Sequence, residues 1–580
     1  MRFDSECPEK LEITNSFTRG GRMFLSLGPS GVPKEGPADL GLLEFRVREP
    51  QVHGALGSTP DNVAELAARL EKMGEELQPR LSEWARAGAL GQSPKATPLI
   101  VVSVPKIGEE GSAPKEWEYW AFTTRGTVTD LAVDLGQILV EPDGRSYQRI
   151  PNGIVAPETV KLDPMRLVKR LTRAEARLMS GYEGDETRLV AVGAGAIGSN
   201  VIVNGAHTGF ATWTIIDNDV VLPHNTVRQH LGNDGVGHPK AAVTTGEVNF
   251  LLQESSAKFI VADVLDEGDK AEAIANALGA ADVTIDFSAS PAVLGNLTDR
   301  AEPRRLVSMF FNPGGDQLVV LAEDSERRTR LDELEAQYYW AVAAFPQLAG
   351  HLDDGRLGFL RYANACHDLS RPLPPWQVQT LSGIGAKRLL DLTSDASASA
   401  KIWQLDPETG SIRALELPAC GVHRFEGGGF RISLSRNAVR SMTQLRAESL
   451  PNETGGVLIG SFDATRKIVH VVGVLPAPPD SEQRPTYFVR GKKDLLPAVE
   501  AIGVRTVNNL HYLGEWHSHP KGAATTPSGD DRNVFDFLTG HLAPTGQPFG
   551  MVICGDDDLR LLFGWNEMRL EDSCGFDESA

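Results

Sequence analysis

The chain has 580 residues, 41% apolar and 23% charged, the balance of a globular protein too long for one hydrophobic core, so three domains are expected. A net charge of -20 works against broad binding to nucleic acid or anionic membrane, because neutralising phosphate needs clustered Lys and Arg. The five cysteines, Cys7, Cys366, Cys420, Cys554 and Cys574, form no Cys-x-x-Cys pair and suit a reducing cytosol; with no apolar run long enough to span a bilayer and no apolar core at the N-terminus, a cytoplasmic protein is expected.

Residues 1–160 open with Gly- and Pro-rich text. A helical stretch follows, "DNVAELAARLEKMGEELQPRLSEWARAG", with apolar residues at spacings of three and four, and then strand-like "TPLIVVSVPKI" and "EWEYWAFTT". This predicts a small α+β domain without a chemical motif. From 161 to 400 strands alternate with helices ("RLVAVGAGAIGSNVIVNGAHTG", "ATWTIIDND", "ADVTIDFSAS", "RRLVSMFFNPGGDQLVVLAED"), which implies parallel β-α-β units and a doubly wound α/β sheet. Residues 401–425 read as a loose linker, and 426–580 as a last module of short strands and helices.

In "VAVGAGAIGSN" an apolar strand runs into Gly193, Gly195 and Gly198. The first permits a tight turn, the second lets phosphate approach the backbone, and the following helix offers its N-terminal amides to an anion. Alone the pattern marks only a strand-to-helix turn. Nineteen residues after Gly198, Asp217 ends a second strand, placed to accept from ribose hydroxyls. "DNDVVLPHNTVRQH" and "GVGHPKAA" then add Asp219, Asn225, Arg228, Gln229 and Lys240. Two cations and an extra carboxylate suit ATP and its Mg2+, whose charge must be neutralised as pyrophosphate leaves.

On these four motifs, over roughly 165–325, the text resembles the ThiF/E1 family, which adenylates the C-terminal glycine of ubiquitin-like proteins. The resemblance implies a Rossmann-like fold, Asp217 on the ribose, Asp219 near Mg2+, Arg228 and Lys240 on the phosphates with Gln229 in the same pocket, and Asn225 polarising the reacting group. It also implies a homodimer. Where family members often carry an Asp-Asn pair, this chain has Ala289-Ser290. Asp286 either supplies the missing carboxylate or caps the end of its strand. An activated acyl group usually passes to a cysteine thiolate; Cys366, before a Pro-rich turn, is the candidate acceptor, with a buried small hydrophobe as the competing reading.

In "EWHSHPKGAATTPSGDD", His517 and His519 stand two apart and share one face of a strand. A third ligand, Asp531, would complete a catalytic Zn2+ site that leaves a position for water. Glu453, in "LPNETGGVLIGSF", offers a general base. Ser528 and Asp531 also read as a capping box for the next helix, which explains neither histidine. Glu453, His517, His519, Ser528 and Asp531, in that order, resemble the JAB/MPN (JAMM) metalloprotease motif over about 430–570. The gap from His519 to Ser528 is one residue longer than usual, so Asp530 competes with Asp531, and the Pro-Ser-x-x-Asp register favours Asp531. The resemblance implies amide hydrolysis: the ion lowers the pKa of its water, Glu453 carries the proton to the leaving amine, and Ser528 stabilises the oxyanion.

Fusion of the two modules makes sense if both act on one small ubiquitin-like partner ending in glycine, one activating it and the other trimming it or removing it from targets. Such fusions resemble bacterial ubiquitin-like conjugation systems, some linked to antiphage defence, where an E2-like module sometimes precedes the E1 part. Residues 1–160 would then be either a degenerate E2-like domain or a binding module, since Cys7 comes too early for an E2 nucleophile; a separate E2-like partner is the other source. Two alternatives stand: activation and trimming of a sulfur carrier, and a non-catalytic scaffold that binds a ubiquitin-like protein.

Overall fold

The computed structural model describes residues 40–576 apart from 53–57, 92–93, 109–115, 141–146, 150–155, 166–170, 183–185, 253–254, 354–359, 362–368 and 371; before residue 40 it describes only four short strands. Cys366, the candidate acyl acceptor, lies outside the described residues. The chain divides into two compact units, Met1–Thr172 and Arg173–Ala580.

In the first unit, strands β1 (Leu40–Arg46), β2 (Thr97–Ile107), β3 (Glu116–Thr124) and β4 (Leu162–Met165) form a sheet in the order β4-β3-β2-β1. β1 and β2 are parallel, so the chain between them must cross over. It does so through α1 (Val63–Glu71) and α2 (Leu77–Leu90); α3 (Val128–Asp134) follows β3, and α4 (Arg173–Met179) opens the second unit. The continuous helical periodicity of the sequence thus becomes two helices, broken where Gly74 adopts a φ of 78°, a left-handed turn that glycine enters without a Cβ clash. Leu66, Leu70, Leu81, Phe45, Ile100 and Val102 fill the core between helices and sheet.

The second unit begins as a doubly wound domain. Its strands are β5 (Thr187–Val192), β6 (Ala211–Ile216), β7 (Ala257–Ile260), β8 (Val283–Asp286), β9 (Leu306–Phe311) and β10 (Gln317–Ala322). Two further strands, β11 (Ser399–Leu405) and β12 (Ile412–Leu417), extend the same sheet in the order β7-β6-β5-β8-β9-β10-β11-β12. The first five are parallel and the last three add antiparallel. The stretch 401–425, expected as a loose linker, is therefore mostly strand; its polar outer residues hid a hairpin that buries Ala400, Ile402 and Leu417.

Both faces of this sheet are covered, which is why β5 reads as an almost unbroken apolar run. Leu189 and Ala191 face α5 (Ala196–Thr208), α6 (Lys240–Leu252) and α10 (Pro375–Leu392). Val190 and Val192 face α7 (Ala271–Ala280), α8 (Pro291–Asp299) and α9 (Leu331–Ala344).

The C-terminal sheet comprises β13 (Val422–Gly427), β14 (Phe430–Ser435), β15 (Gly455–Asp463), β16 (Ile468–Leu475), β19 (His511–Ser518), β20 (Phe549–Cys554), β21 (Asp558–Trp565) and β22 (Met568–Gly575); a separate hairpin, β17 (Glu482–Arg484) and β18 (Tyr487–Val489), leaves it between β16 and β19. Their order is β13-β14-β16-β15-β19-β20-β21-β22. Helix α11 (Arg436–Ser449) covers one face through Val439 and Met442. The other face is covered by α12 (Leu495–Arg505), α13 (Gly529–Leu542) and α9, which belongs in sequence to the preceding domain.

Helix α9 is thus shared. Ala336, Tyr339, Trp340 and Ala343 pack on Val457, Ile459 and Val472, and the Trp340 ring lies so close to Gly473 that a Cβ there would come within 2.4 Å of it. At its N-terminus Asp332 accepts from Arg466 at 2.7 Å and Glu333 from Arg424 at 2.7 and 2.8 Å. Arg466 also binds Asp299 of α8 at 2.7 Å. Burial at both ends and along one side makes Arg173–Ala580 one packed body.

Candidate nucleotide and metal sites

The glycine loop joins β5 to α5. Gly193 has a φ of 99° and Gly195 is the N-cap of α5. A Cβ on Gly198 would sit 2.2 Å from the Gly193 carbonyl, so the loop closes against its own helix only with glycine there. Asp217, just past β6, accepts the Ala194 amide at 2.6 Å and the Asp219 amide at 2.8 Å. Burial raises its pKa, against the pull of those amides and of Lys240.

Asp219 pairs with Lys240 at 2.8 Å, and Lys240 opens α6. Asn225 is buried and accepts the Leu222 amide at 2.9 Å, capping a short 3-10 turn. That turn presents Arg228 and Gln229. The Gln229 side-chain oxygen is buried without a hydrogen-bond partner among the described residues, an unmet acceptor of the kind a ligand satisfies. Arg228 is half-buried, which lowers its pKa, and it lines a groove of about 550 Å3 together with Ala289, Phe310, Gly314, Tyr338 and Tyr339.

Asp286, at the end of β8, accepts from the Ser288 amide at 2.9 Å, the Ser288 hydroxyl at 2.6 Å and the Ser308 hydroxyl at 3.3 Å. Both carboxylate oxygens are engaged in capping the strand end. Ala289 follows with a φ of 54°, a conformation that Asp or Asn adopts more readily than Ala. The loop, Arg228, Gln229 and the Lys240–Asp219 pair therefore suit a nucleotide, and Asp219 is the exposed carboxylate beside them.

The second site sits where β19 ends. His517 lies within the ladder, opposite Gly455 of β15 and Ile553 of β20. His519 is beyond the strand, with its amide donating to Cys554 at 3.0 Å. The alternation that puts residues i and i+2 on one face brings the two rings to 5.4 Å between centroids. Asp531, in the first turn of α13, places one oxygen 3.2 Å from His517 Nε2 and the other 3.9 Å from His519 Nε2. One donor atom from each of the three lies within 4.8 Å of the others, and among the described residues this trio is the group whose donors could share one metal ion. Asp530 is not part of it.

The chemistry of the donors fits a divalent cation. Burial lowers His517 to about 4, with Asp531 opposing and His519 reinforcing, so it offers a neutral lone pair. His519 Nδ1 is 2.6 Å from the Ala524 carbonyl; that contact requires Nδ1–H as donor and leaves Nε2 free for a metal. Burial works to raise Asp531, but its hydrogen bonds with His519 and Ser528 hold it well below the usual carboxylate range.

Glu453 lies two residues before β15. Its amide donates to Arg484 in the β17–β18 hairpin at 2.8 Å. The neighbouring Thr454 is locked to Ser518 by bonds of 2.7 and 3.0 Å. Burial raises the Glu453 carboxyl, Asp531 adds to the rise and His519 counters it. Ser528 forms the capping box: Asp531 N donates to Ser528 Oγ at 3.1 Å and Ser528 N to Asp531 Oδ2 at 2.7 Å. Capping and ligation thus use the same aspartate, since the box leaves Oδ1 facing His517.

Sequence spacing gave no sign of the aromatic wall of the nucleotide groove, because Tyr338 and Tyr339 arrive on α9, about a hundred residues after Arg228. It also gave no sign of Arg446, buried on α11, whose Nε donates to the His519 carbonyl at 2.9 Å. One of three arginines in the polar helix text "RNAVRSMTQLRAES", it carries no local signal of its target.

A doubly wound sheet with a glycine loop at its switch point, packed on a mixed sheet with a His-x-His and acid donor set, defines an adenylation module joined to a JAB-type peptidase module. The ThiF family matches residues 183–312, and the family described as prokaryotic homologs of the JAB domain matches residues 435–568. The CD-NTase/cGAS isopeptidase of Enterobacter hormaechei subsp. hoffmannii (strain UCI 50) is 38% identical over 132 residues, 23% of this chain and 71% of that protein. The chain therefore belongs, through its C-terminal module, to the prokaryotic JAB-domain family. The ATP-dependent ubiquitin transferase-like protein Cap2 of the same organism is 24% identical over 341 residues, 58% of this chain, and the match spans about half, 54%, of its length. Among solved structures, E. coli MccB is similar at 17% identity over 42% of this chain and 67% of that chain, with a TM-score of 0.30. The chain is an enzyme with a ThiF adenylyltransferase module and a JAB peptidase module. Among the described residues no helix is long and apolar enough to cross a membrane.

Proposed function

We propose that the chain activates the C-terminal glycine of a small ubiquitin-like protein with ATP and Mg2+, and cleaves amide or isopeptide bonds at that same glycine with Zn2+, within a bacterial conjugation system of the antiviral kind. The observation that carries this reading is the presence, in one packed body, of the Gly193–Gly198 loop with Arg228 and the His517–His519–Asp531 cluster with Glu453. The two relatives whose names speak of ubiquitin transfer and isopeptidase action support it, over 58% and 23% of the chain respectively.

In the adenylation half, loop amides and the α5 N-terminus hold phosphate, and Arg228 and Lys240 balance the charge that develops as pyrophosphate departs. Asp217 holds the loop in shape and Asp219 would help bind Mg2+. An extended glycine-ended tail would run along the groove beside Arg228, whose Gly314 and aromatic walls suit a narrow, apolar chain.

In the peptidase half, His517, His519 and Asp531 would hold the Zn2+. The ion supplies Lewis acidity that makes water nucleophilic at neutral pH. Glu453 takes the proton from the attacking water and passes it to the leaving amine. The Ser528 hydroxyl would donate to the oxyanion.

The test uses the full chain with a ubiquitin-like protein ending in glycine and encoded beside it. ATP–pyrophosphate exchange dependent on that protein, and release of anything fused after its glycine, are expected. Absence of both with every such partner overturns the proposal.

A further inference from the structure

The three ligands are held in place by different means. His517 is fixed by ladder bonds on both sides of β19, and Asp531 by the capping box of α13. His519 lies past the strand and keeps one main-chain bond, from its amide to the Cys554 carbonyl of β20 at 3.0 Å, which holds its backbone but not its ring. Its ring is aimed by the bond from Nδ1 to the Ala524 carbonyl, and this bond is only as firm as the turn 519–524.

That turn is clamped from outside. Arg446, 7% exposed and in the last turn of α11, donates from Nε to the His519 carbonyl at 2.9 Å and from its terminal nitrogen to Asp556 Oδ1 at 2.6 Å. Asp556 in turn accepts the Gly522 amide at Oδ2, 2.7 Å away. One guanidinium and one carboxylate therefore grip the turn at its start and its middle, and anchor both to a helix packed in the core. Charge-assisted bonds with a planar fork are directional, so the grip fixes orientation as well as position.

We propose that Arg446, acting through Asp556, is a positioning residue for the metal centre, keeping His519 aimed at the ion. The inference rests on the metallopeptidase reading above. It requires that loss of the clamp weaken metal binding while leaving the catalytic groups themselves in place.

The experiment measures Zn2+ affinity of the full chain by competition with a chromogenic chelator, alongside kcat and KM for peptide cleavage. Arg446→Met, of similar length and without charge, is expected to weaken Zn2+ binding about 10–100-fold, the usual effect of removing a group that orients a ligand. Its kcat should recover towards wild type as free Zn2+ is raised, with KM unchanged. Arg446→Lys, able to reach one acceptor but not both, should fall between. Should Arg446→Met fail to fold, Asp556→Asn keeps an acceptor for Gly522 and removes the charge pair, and a several-fold loss of affinity is expected. Wild-type Zn2+ affinity in a folded Arg446→Met or Asp556→Asn protein overturns the positioning role. Failure of the wild-type chain to take up Zn2+ overturns the metallopeptidase reading instead.

Discussion

At the end of β19 two imidazoles and a carboxylate point their free atoms at one another, whereas at the ends of β6 and β8 the carboxylates turn back onto nearby backbone, Asp217 on Ala194 and Asp286 on Ser288. The difference follows from the ligands the two sites suit. A metal ion needs one free donor atom from each ligand, so the fold must spend other groups, Arg446 and the Ala524 carbonyl among them, on holding those donors still. A nucleotide phosphate is taken largely by main-chain amides, so the acidic residues around it are free to shape the loops. Loss of one side chain should therefore be severe in the metal pocket, and in the nucleotide pocket it should be severe only for the cations.

The strongest way to break this contrast is Glu453→Gln. Peptide cleavage should fall about 10²–10⁴-fold, with Zn2+ content and pyrophosphate exchange unchanged; a loss of both activities would show that the pockets are not chemically separate. Arg228→Ala is the converse. Exchange should drop about 10²–10³-fold and cleavage should persist, as measured on the same preparation.

Next in size is a pH effect from the adenylation side. His351 is buried, accepts from the Tyr338 hydroxyl at 2.7 Å and donates to Gln317 at 2.9 Å, and burial lowers it to about 4. The folded state thus holds the neutral ring while the unfolded chain titrates near 6.5. Its contribution is complete above the unfolded value and is lost as pH falls from about 6.5 to about 4, roughly 3 kcal/mol in all. Urea unfolding of wild type and His351→Gln at pH 7 and pH 4.5 should diverge in pH slope by most of that amount; equal slopes would remove His351 from the account.

Gly473→Ala tests whether the two pockets share a frame. The added methyl meets Trp340 of α9, and overpacking of this kind costs about 1–3 kcal/mol. Because α9 serves both domains, thermal inactivation of exchange and of cleavage should shift together, and a shift in cleavage alone would count against a shared body. The smallest effect is expected from Ala289→Asp. Asp tolerates the left-handed backbone found there, and its carboxylate would join Arg228 in the groove. Mg2+-dependent exchange should rise a few-fold with cleavage unaltered, and an unchanged Mg2+ dependence would show that Asp219 suffices.

Much of this architecture was legible in the residues. The period-two and period-3.6 patterns gave alternating strands and helices from 187 onward, because both sheet faces are buried and leave apolar runs between glycine turns. His517, His519 and Asp531 were legible because strand alternation and a capping turn are local rules. The strands at 399–417 were missed because the outer face of an edge hairpin is polar and looks like a connector. The break at Gly74 was missed because apolar periodicity continues across a left-handed turn.

By itself, then, the sequence determined what short range controls: the glycine loop, the pairing of histidines on one strand face, and the cap that carries Asp531. Tertiary structure alone decided that α9 serves two cores, that Tyr338 and Tyr339 wall the groove beside Arg228, and that Arg446 reaches the His519 carbonyl 73 residues away. Such contacts are set by how sheets stack and which helix face remains to be covered, and hydrophobic burial, being non-directional, leaves no local trace of its partner in the chain.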